Sequence, residues 1–153
     1  MSEATGPEAR TVTRELADIE AIRRLKARYF NCLDAKLWDE LLDCFTAEAV
    51  LAEHERSIFV EGGEPIVGFL KQGLGFDHVL TVHHGHNAEI EITGEETARA
   101  RWALNDYVFN RQTNKGSRGY GFYEDEYVKE AGEWKIRSCT VTHVHKEKFI
   151  KDG

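Results

Sequence analysis

Three of the seven histidines, His83, His84 and His86, fall within the stretch Thr81 to Asn87, which leads into the alternating Ala88-Glu89-Ile90-Glu91-Ile92. Imidazole is the side chain whose ordinary pKa lies nearest to neutral pH, so a strand-borne histidine suits a proton acceptor or a metal ligand. Alternation places Ile90 and Ile92 on the face of His84 and His86, which predicts those two histidines inside and His83 outside with Glu89 and Glu91. A bulge at Gly85 would return His83 to the interior.

Other candidates are spread along the chain. Asp106 shares strand parity with Trp102, Leu104 and Val108, so it points into the apolar side and needs a partner there. Asp34 sits where two helical patterns meet, either as a helix cap or as a carboxylate aimed at the core beside Tyr29, which lies on the apolar stripe of the first helix. A metal reading needs His84-x-His86, Glu91 and a distant His143 or His145. That set is loosely similar to the first cupin motif, but the second motif is absent and a long helical start does not suit a jelly roll. No G-x-S-x-G elbow occurs. The glycines between 116 and 121 lie between strands rather than before a helix, which argues against a phosphate cradle.

The elements that must position these groups follow from periodicity. Met1 to about Val12 reads as a flexible tail. From Thr13, a plausible N-cap, Leu16, Ile19, Ile22, Leu25 or Lys26, Tyr29 and Leu33 recur at helical spacing, and Leu37 to Phe45 continues as a second helix. Ala49 to Ala52 is a short strand, and Pro65 to about Gln72 a third helix. Beyond it the chain alternates: Ala98 to Val108, a strand through Tyr120, Phe122 and Val128, and Trp134 to Val144. Turns at Gly94-Glu95, Asn114-Lys115-Gly116 and Glu130-Ala131-Gly132 imply antiparallel neighbours. Helices followed by long antiparallel strands predict a single α+β domain over 13–150, with helices on one face of a curved sheet.

Composition narrows the function. The chain has 153 residues, 41% hydrophobic and 31% charged, enough for one core. A formal charge of −7 opposes sequence-independent binding to nucleic acid or to an anionic membrane. There is no apolar run of membrane-spanning length and no secretory-type start, so a cytoplasmic protein is expected. Cys32, Cys44 and Cys139 have no C-x-x-C spacing and read as buried thiols.

The blocks Asp18-Ile19-Glu20-Ala21-Ile22, Lys26 to Tyr29, Cys32-Leu33-Asp34, Trp38 to Leu41, His83 to His86 and Arg101 to Asp106 give the chain its resemblance, over about 18–149. It resembles SnoaL-like members of the nuclear transport factor 2-like superfamily, and within them is similar to scytalone dehydratase, to lindane dehydrochlorinase and most to bile acid 7α-dehydratase. The resemblance implies a cone-shaped α+β fold, with N-terminal helices on a strongly curved, mainly antiparallel mixed sheet enclosing a pocket.

It also implies a catalytic Asp34–His83 dyad, an active-site Tyr29 and a second carboxylate at Asp106. A family arginine falls on His143, a contact that neutral imidazole does not reproduce. The activity implied is a dehydratase needing no cofactor and no metal, acting on a hydrophobic, steroid-like or polycyclic hydroxyketone. His83 would be the base, Asp34 its orienting partner and Tyr29 the donor to developing charge, with Asp106 or His143 assisting departure of water or fixing the substrate. His143, Trp102, Phe45, Tyr120 and Phe122 are the expected substrate contacts. A homotrimer or homodimer is implied, with the small hydrophobic substrate the only other partner. An isomerase or cyclase using the same base, and a non-catalytic ligand-binding or assembly domain, are the alternatives.

Overall fold

The computed structural model describes residues 6–152. The first helix, α1, spans Pro7–Ala35. Proline fits a first helical turn because its missing N–H would have no partner there. The helix therefore starts before Thr13, whose hydroxyl donates to the Ala9 carbonyl at 2.8 Å instead of capping. Of the tail expected over residues 1–12, residues 1–5 lie outside the described residues and 7–12 are helical. Lys36 ends α1 in the left-handed conformation (φ 59°). Its Nζ donates to the carbonyls of Phe76 and Val79, joining the end of α1 to the segment that enters the third strand.

The second helix is shorter than the pattern suggested: α2 covers Trp38–Leu42, and Phe45 already belongs to β1, Phe45–Glu53. A 3-10 turn at His54–Arg56 leads to β2, Ile58–Glu61, which the sequence did not reveal, and then to α3, Gly63–Leu74. Four long strands follow: β3 (Val79–Ile92), β4 (Thr97–Asn110), β5 (Lys115–Glu130) and β6 (Glu133–Ile150). The sheet order is β2-β1-β6-β5-β4-β3. Among the described residues only the β1–β6 pairing is parallel, and it sets β1 beside β6.

The core lies between the helices and the inner sheet face, around Ile22, Phe30, Leu41, Ile66, Trp102 and Ile136. Three polar side chains of α1, eight residues and so about 12 Å apart along the axis, tie it to the sheet. Asp18 accepts from Lys129 Nζ (2.7 Å) and Trp134 Nε1 (2.9 Å). Lys26 is fully buried against Asp125 at 2.7 Å, and Asp34 reaches β3. Asp125 also accepts from Tyr127 Oη (2.6 Å), which in turn accepts from Trp102 Nε1 (3.1 Å). Among the described residues no helix is long and apolar enough to cross a membrane. All three cysteines are buried and free, and burial pushes the Cys44 thiol up to about 11 and Cys139 higher still.

Candidate active site

The inward face of β3 is decided at Asn87. The β3–β4 register shifts between His86 and Glu89, and Asn87 has φ 50°, a left-handed conformation that asparagine tolerates better than most residues. The extra residue reverses parity, so that Val79, Thr81, His83 and Gly85 face inward before it, and Ala88, Ile90 and Ile92 after it. His84 and His86 are consequently exposed on the outer face, contrary to simple alternation, and cannot join His143 in a metal site. Gly85 is not the bulge. It lies over Phe30, where an added Cβ would come within 2.7 Å of the ring.

His83 thus meets the last turn of α1. Its Nδ1–H donates to Asp34 Oδ1 at 2.7 Å and its backbone N–H to Asp34 Oδ2 at 2.8 Å, while the Thr81 hydroxyl donates to Oδ1 at 2.9 Å. Three donors fix the carboxylate, which therefore serves the strand rather than capping a helix. Because Nδ1 carries the hydrogen shared with Asp34, the basic nitrogen of neutral His83 is Nε2, which has no protein partner among the described residues. His83 lines a cavity of about 720 Å³, within the range of small-molecule sites. Its apolar wall includes Leu33, Leu51, Phe69, Leu70, Val108 and Val141.

A second polar array crosses the same wall. Asp106 pairs directly with His83 across β3 and β4 and, on its other side, with Gly119 of β5. It reaches over Gly119 to β6, where His143 Nε2–H donates to its Oδ2 at 2.8 Å. Neighbouring strands lie about 4.8 Å apart, so this contact spans two strand spacings and needs a residue without a side chain between them. A Cβ on Gly119 would sit 2.5 Å from Asp106 Oδ1 and 2.8 Å from His143 Cδ2. The other ring nitrogen, His143 Nδ1, donates to Glu53 Oε1 at 3.2 Å.

His143 therefore lies between two carboxylates, one facing each ring nitrogen, a setting that favours the imidazolium. The Asp106 hydrogen bond raises its pKa above the ordinary 6.5, against burial, and the charges of Asp106 and Glu53 add to the rise. Burial pulls Asp106 upward, but its hydrogen bond to His143 and the charges of His143, His83 and Lys146 together hold it below 3.8. A residue whose cationic form is favoured thus stands where the resemblance places an arginine.

Tyr29 lines the cavity, its ring held edge-on by Phe30 and Phe45 at 5.3 and 5.8 Å. Its hydroxyl makes no protein hydrogen bond among the described residues. Burial, reinforced by the charges of Cys139, Asp125 and Asp34, keeps the phenol neutral well above pH 10. Tyr123, which sequence reasoning overlooked, lines the same cavity and is kept neutral chiefly by burial. The buried Lys26 ammonium lies 4.7 Å from the Tyr29 ring centre and 4.1 Å from that of Tyr123.

Four expected substrate contacts are absent from the cavity wall. Phe45 and Trp102 are core residues, the first buttressing Tyr29 and the second bonded to Tyr127. Tyr120 and Phe122 face outward, stacked on His145 and beneath the Arg101 guanidinium. Parity misled here because the inward face of β5 carries Tyr123, Asp125 and Tyr127, and an aspartate can occupy it only when Lys26 of α1 arrives as its counter-charge. Glu53 was missed too, although it shares strand parity with Ala49 and Leu51 and a longer β1 would have shown it facing inward.

Helices packed on a six-stranded, unclosed mixed sheet around this cavity form the cone-shaped α+β fold of nuclear transport factor 2-like proteins. The chain belongs to the SnoaL-like domain family, whose model matches residues 14–140. A candidate scytalone dehydratase of Novosphingobium aromaticivorans shares the fold with a TM-score of 0.83 at 22% identity, over 92% of this chain and 93% of the other. A hexachlorocyclohexane dehydrochlorinase of Novosphingobium barchaimii has a TM-score of 0.78 at 15% identity, covering 90% and 93%. The ActVI-ORFA protein of Streptomyces coelicolor has a TM-score of 0.72 at 14% identity, covering 84% and 98%.

Proposed function

We propose that this protein is a cofactor-independent lyase that removes water from a hydrophobic, steroid-like or polycyclic hydroxyketone. The observation that carries the reading is the 2.7 Å contact of Asp34 Oδ1 with His83 Nδ1, which leaves a basic Nε2 at the cavity. His83 Nε2 takes a proton from the carbon next to the ketone, and Asp34 stabilises the imidazolium that forms. The neutral phenol of Tyr29 donates to the ketone oxygen as negative charge gathers there, a role open to Tyr123 as well. The enolate's electron pair then forms the C=C bond as the C–O bond to a β-hydroxyl breaks; that bond's pair leaves with the oxygen, which takes the proton from His83 and departs as water.

Asp106, directly opposite His83 and charged through its pairing with His143, favours the cationic state of the base during this cycle. His143 has both ring protons committed to Asp106 and Glu53, so it holds the array rather than delivering a proton. The dehydratase and dehydrochlorinase folds of the structural neighbours support an elimination, in which a base and a leaving group must share one apolar cavity.

The test is ultraviolet absorbance of a panel of polycyclic hydroxyketones and hydroxylated Δ4-3-keto steroids incubated with the protein, since elimination extends conjugation. A new enone or dienone band is expected, reduced about 10²- to 10⁴-fold in rate by His83→Ala with the fold retained. A panel that stays spectrally unchanged, although its members bind, would leave a ligand-binding domain.

A further inference from the structure

The opening of the cavity is marked by lining residues that are also exposed, and the charged ones among them are all basic, Arg56, Lys115, Lys146 and Lys148, whereas the acids of the lining, Glu53 and Asp106, are buried. This is a local reversal in a chain of formal charge −7. Arg56 is paired with Glu53 at 3.3 Å, and both acids also hold His143. Among the described residues Lys115, Lys146 and Lys148 form no ion pair.

Their placement is built by a second irregularity in the sheet. Gly121 pairs with His143 and Tyr120 with His145, so Val144 is an extra residue in β6, 71% exposed. Without it, Lys146 and Lys148 would fall on the face opposite His143. With it they share the inner face, pairing with Gly119 and Ser117, while Lys115 lies one step further along β5. The charge of Lys146 reaches deep enough to act on both Asp106 and His143. Like charges gathered at an opening with none of them ion-paired among the described residues repel one another, and an anion bound among them relieves that repulsion.

We propose that the ligand of this cavity carries a carboxylate remote from its apolar body, and that Lys146 and Lys148, with Lys115 beside them, hold that carboxylate at the opening. This deepens the reading of the site given above, on which it rests for the reacting end of the substrate. Lysine suits the task because a point charge on a flexible stem follows an anion whose depth varies with the ligand. The apolar body then enters toward His83 in one orientation, carboxylate outward.

The experiment compares 1-pyrenebutyrate with its methyl ester by fluorescence titration of the full chain. One arm is run at low ionic strength, one in 0.5 M sodium chloride, and one with Lys146→Gln/Lys148→Gln. The acid is expected to bind about tenfold tighter than the ester at low salt, equivalent to about 1.4 kcal/mol. That preference should shrink to about threefold or less in salt and in the double variant, with the ester unaffected. Equal affinity for acid and ester, a preference that survives the double substitution, or no binding of either probe overturns the proposal. No turnover is involved, so loss of the preference removes the carboxylate and leaves the elimination untouched. Spectrally inert hydroxyketones do the reverse.

Discussion

Replacing Asp34 by asparagine tests how the base is prepared. The carboxylate accepts from His83 Nδ1–H (2.7 Å), His83 backbone N–H (2.8 Å) and Thr81 Oγ1–H (2.9 Å). With its carbonyl oxygen in the place of Oδ2 an asparagine keeps the His83 backbone N–H, and its NH₂, standing where Oδ1 was, must donate to Nδ1 and to the Thr81 hydroxyl, which can turn to accept. His83 is driven into the Nε2–H tautomer, which presents a hydrogen rather than a lone pair to the cavity. The rate of elimination should fall about 10³- to 10⁴-fold, the scale seen when a dyad acid is made neutral in a histidine-based site. Exchanging charge-assisted for neutral hydrogen bonds should cost about 1–3 kcal/mol of stability, small enough for the fold to survive. Long-range ¹H–¹⁵N correlation of the imidazole rings reads the tautomer directly, and urea denaturation reads the stability. An unchanged His83 ring-nitrogen pattern in the variant, or an unchanged rate alongside the changed tautomer, would refute the reasoning.

Gly119→Ala should separate Asp106 from His143, because the new Cβ would lie 2.5 Å from Asp106 Oδ1. A loss of about 2–4 kcal/mol is expected from overpacking and a weakened charge-assisted bond, read by denaturant titration. Lys26→Met strands Asp125 without its counter-charge, and the expected cost is about 3–5 kcal/mol in the same assay. The Asp106–His143 pair also predicts a pH profile. Asp106, held below 3.8, contributes stability that is complete above 3.8 and lost as pH falls through its folded value; His143, held above 6.5, contributes stability complete below 6.5 and lost as pH rises through its folded value. Their joint contribution is therefore fullest between pH 3.8 and 6.5, and His143→Gln should remove the alkaline decline attributable to this pair, measured by denaturation across pH 3 to 9.

Much of the architecture is legible in the chain because it depends on local periodicity. The helical spacing from Ile22 to Leu33 and the alternation through Ala98, Ala100, Trp102, Leu104 and Asp106 each report one buried face. Turn residues at Asn114 and at Ala131-Gly132 then require antiparallel return. The short β2 escaped because four residues carry too little pattern, and the start of α1 was placed late because its first turns bury nothing and so show no stripe. Positional resemblance singled out Asp34, His83, Tyr29 and Asp106; Tyr29, His83 and Asp106 line one cavity, and Asp34 is bonded to His83.

Residue types and strand order fixed which side chains were available: a carboxylate after Leu33, a histidine in the third strand, an aspartate on an apolar face. Which way they point was settled by features that cost or gain energy only once strands pair. The extra residues at Asn87 and Val144 reverse the faces of His83 and of Lys146, and bulges leave no trace in a period-two pattern until the partner strand sets the register. Asp125 can be buried only because Lys26 arrives from a helix 99 positions earlier, and Asp106 can meet His143 only because Gly119 lies between them. Charge neutralisation and close approach are properties of pairs of residues, so the chain supplies the members and the fold decides who meets.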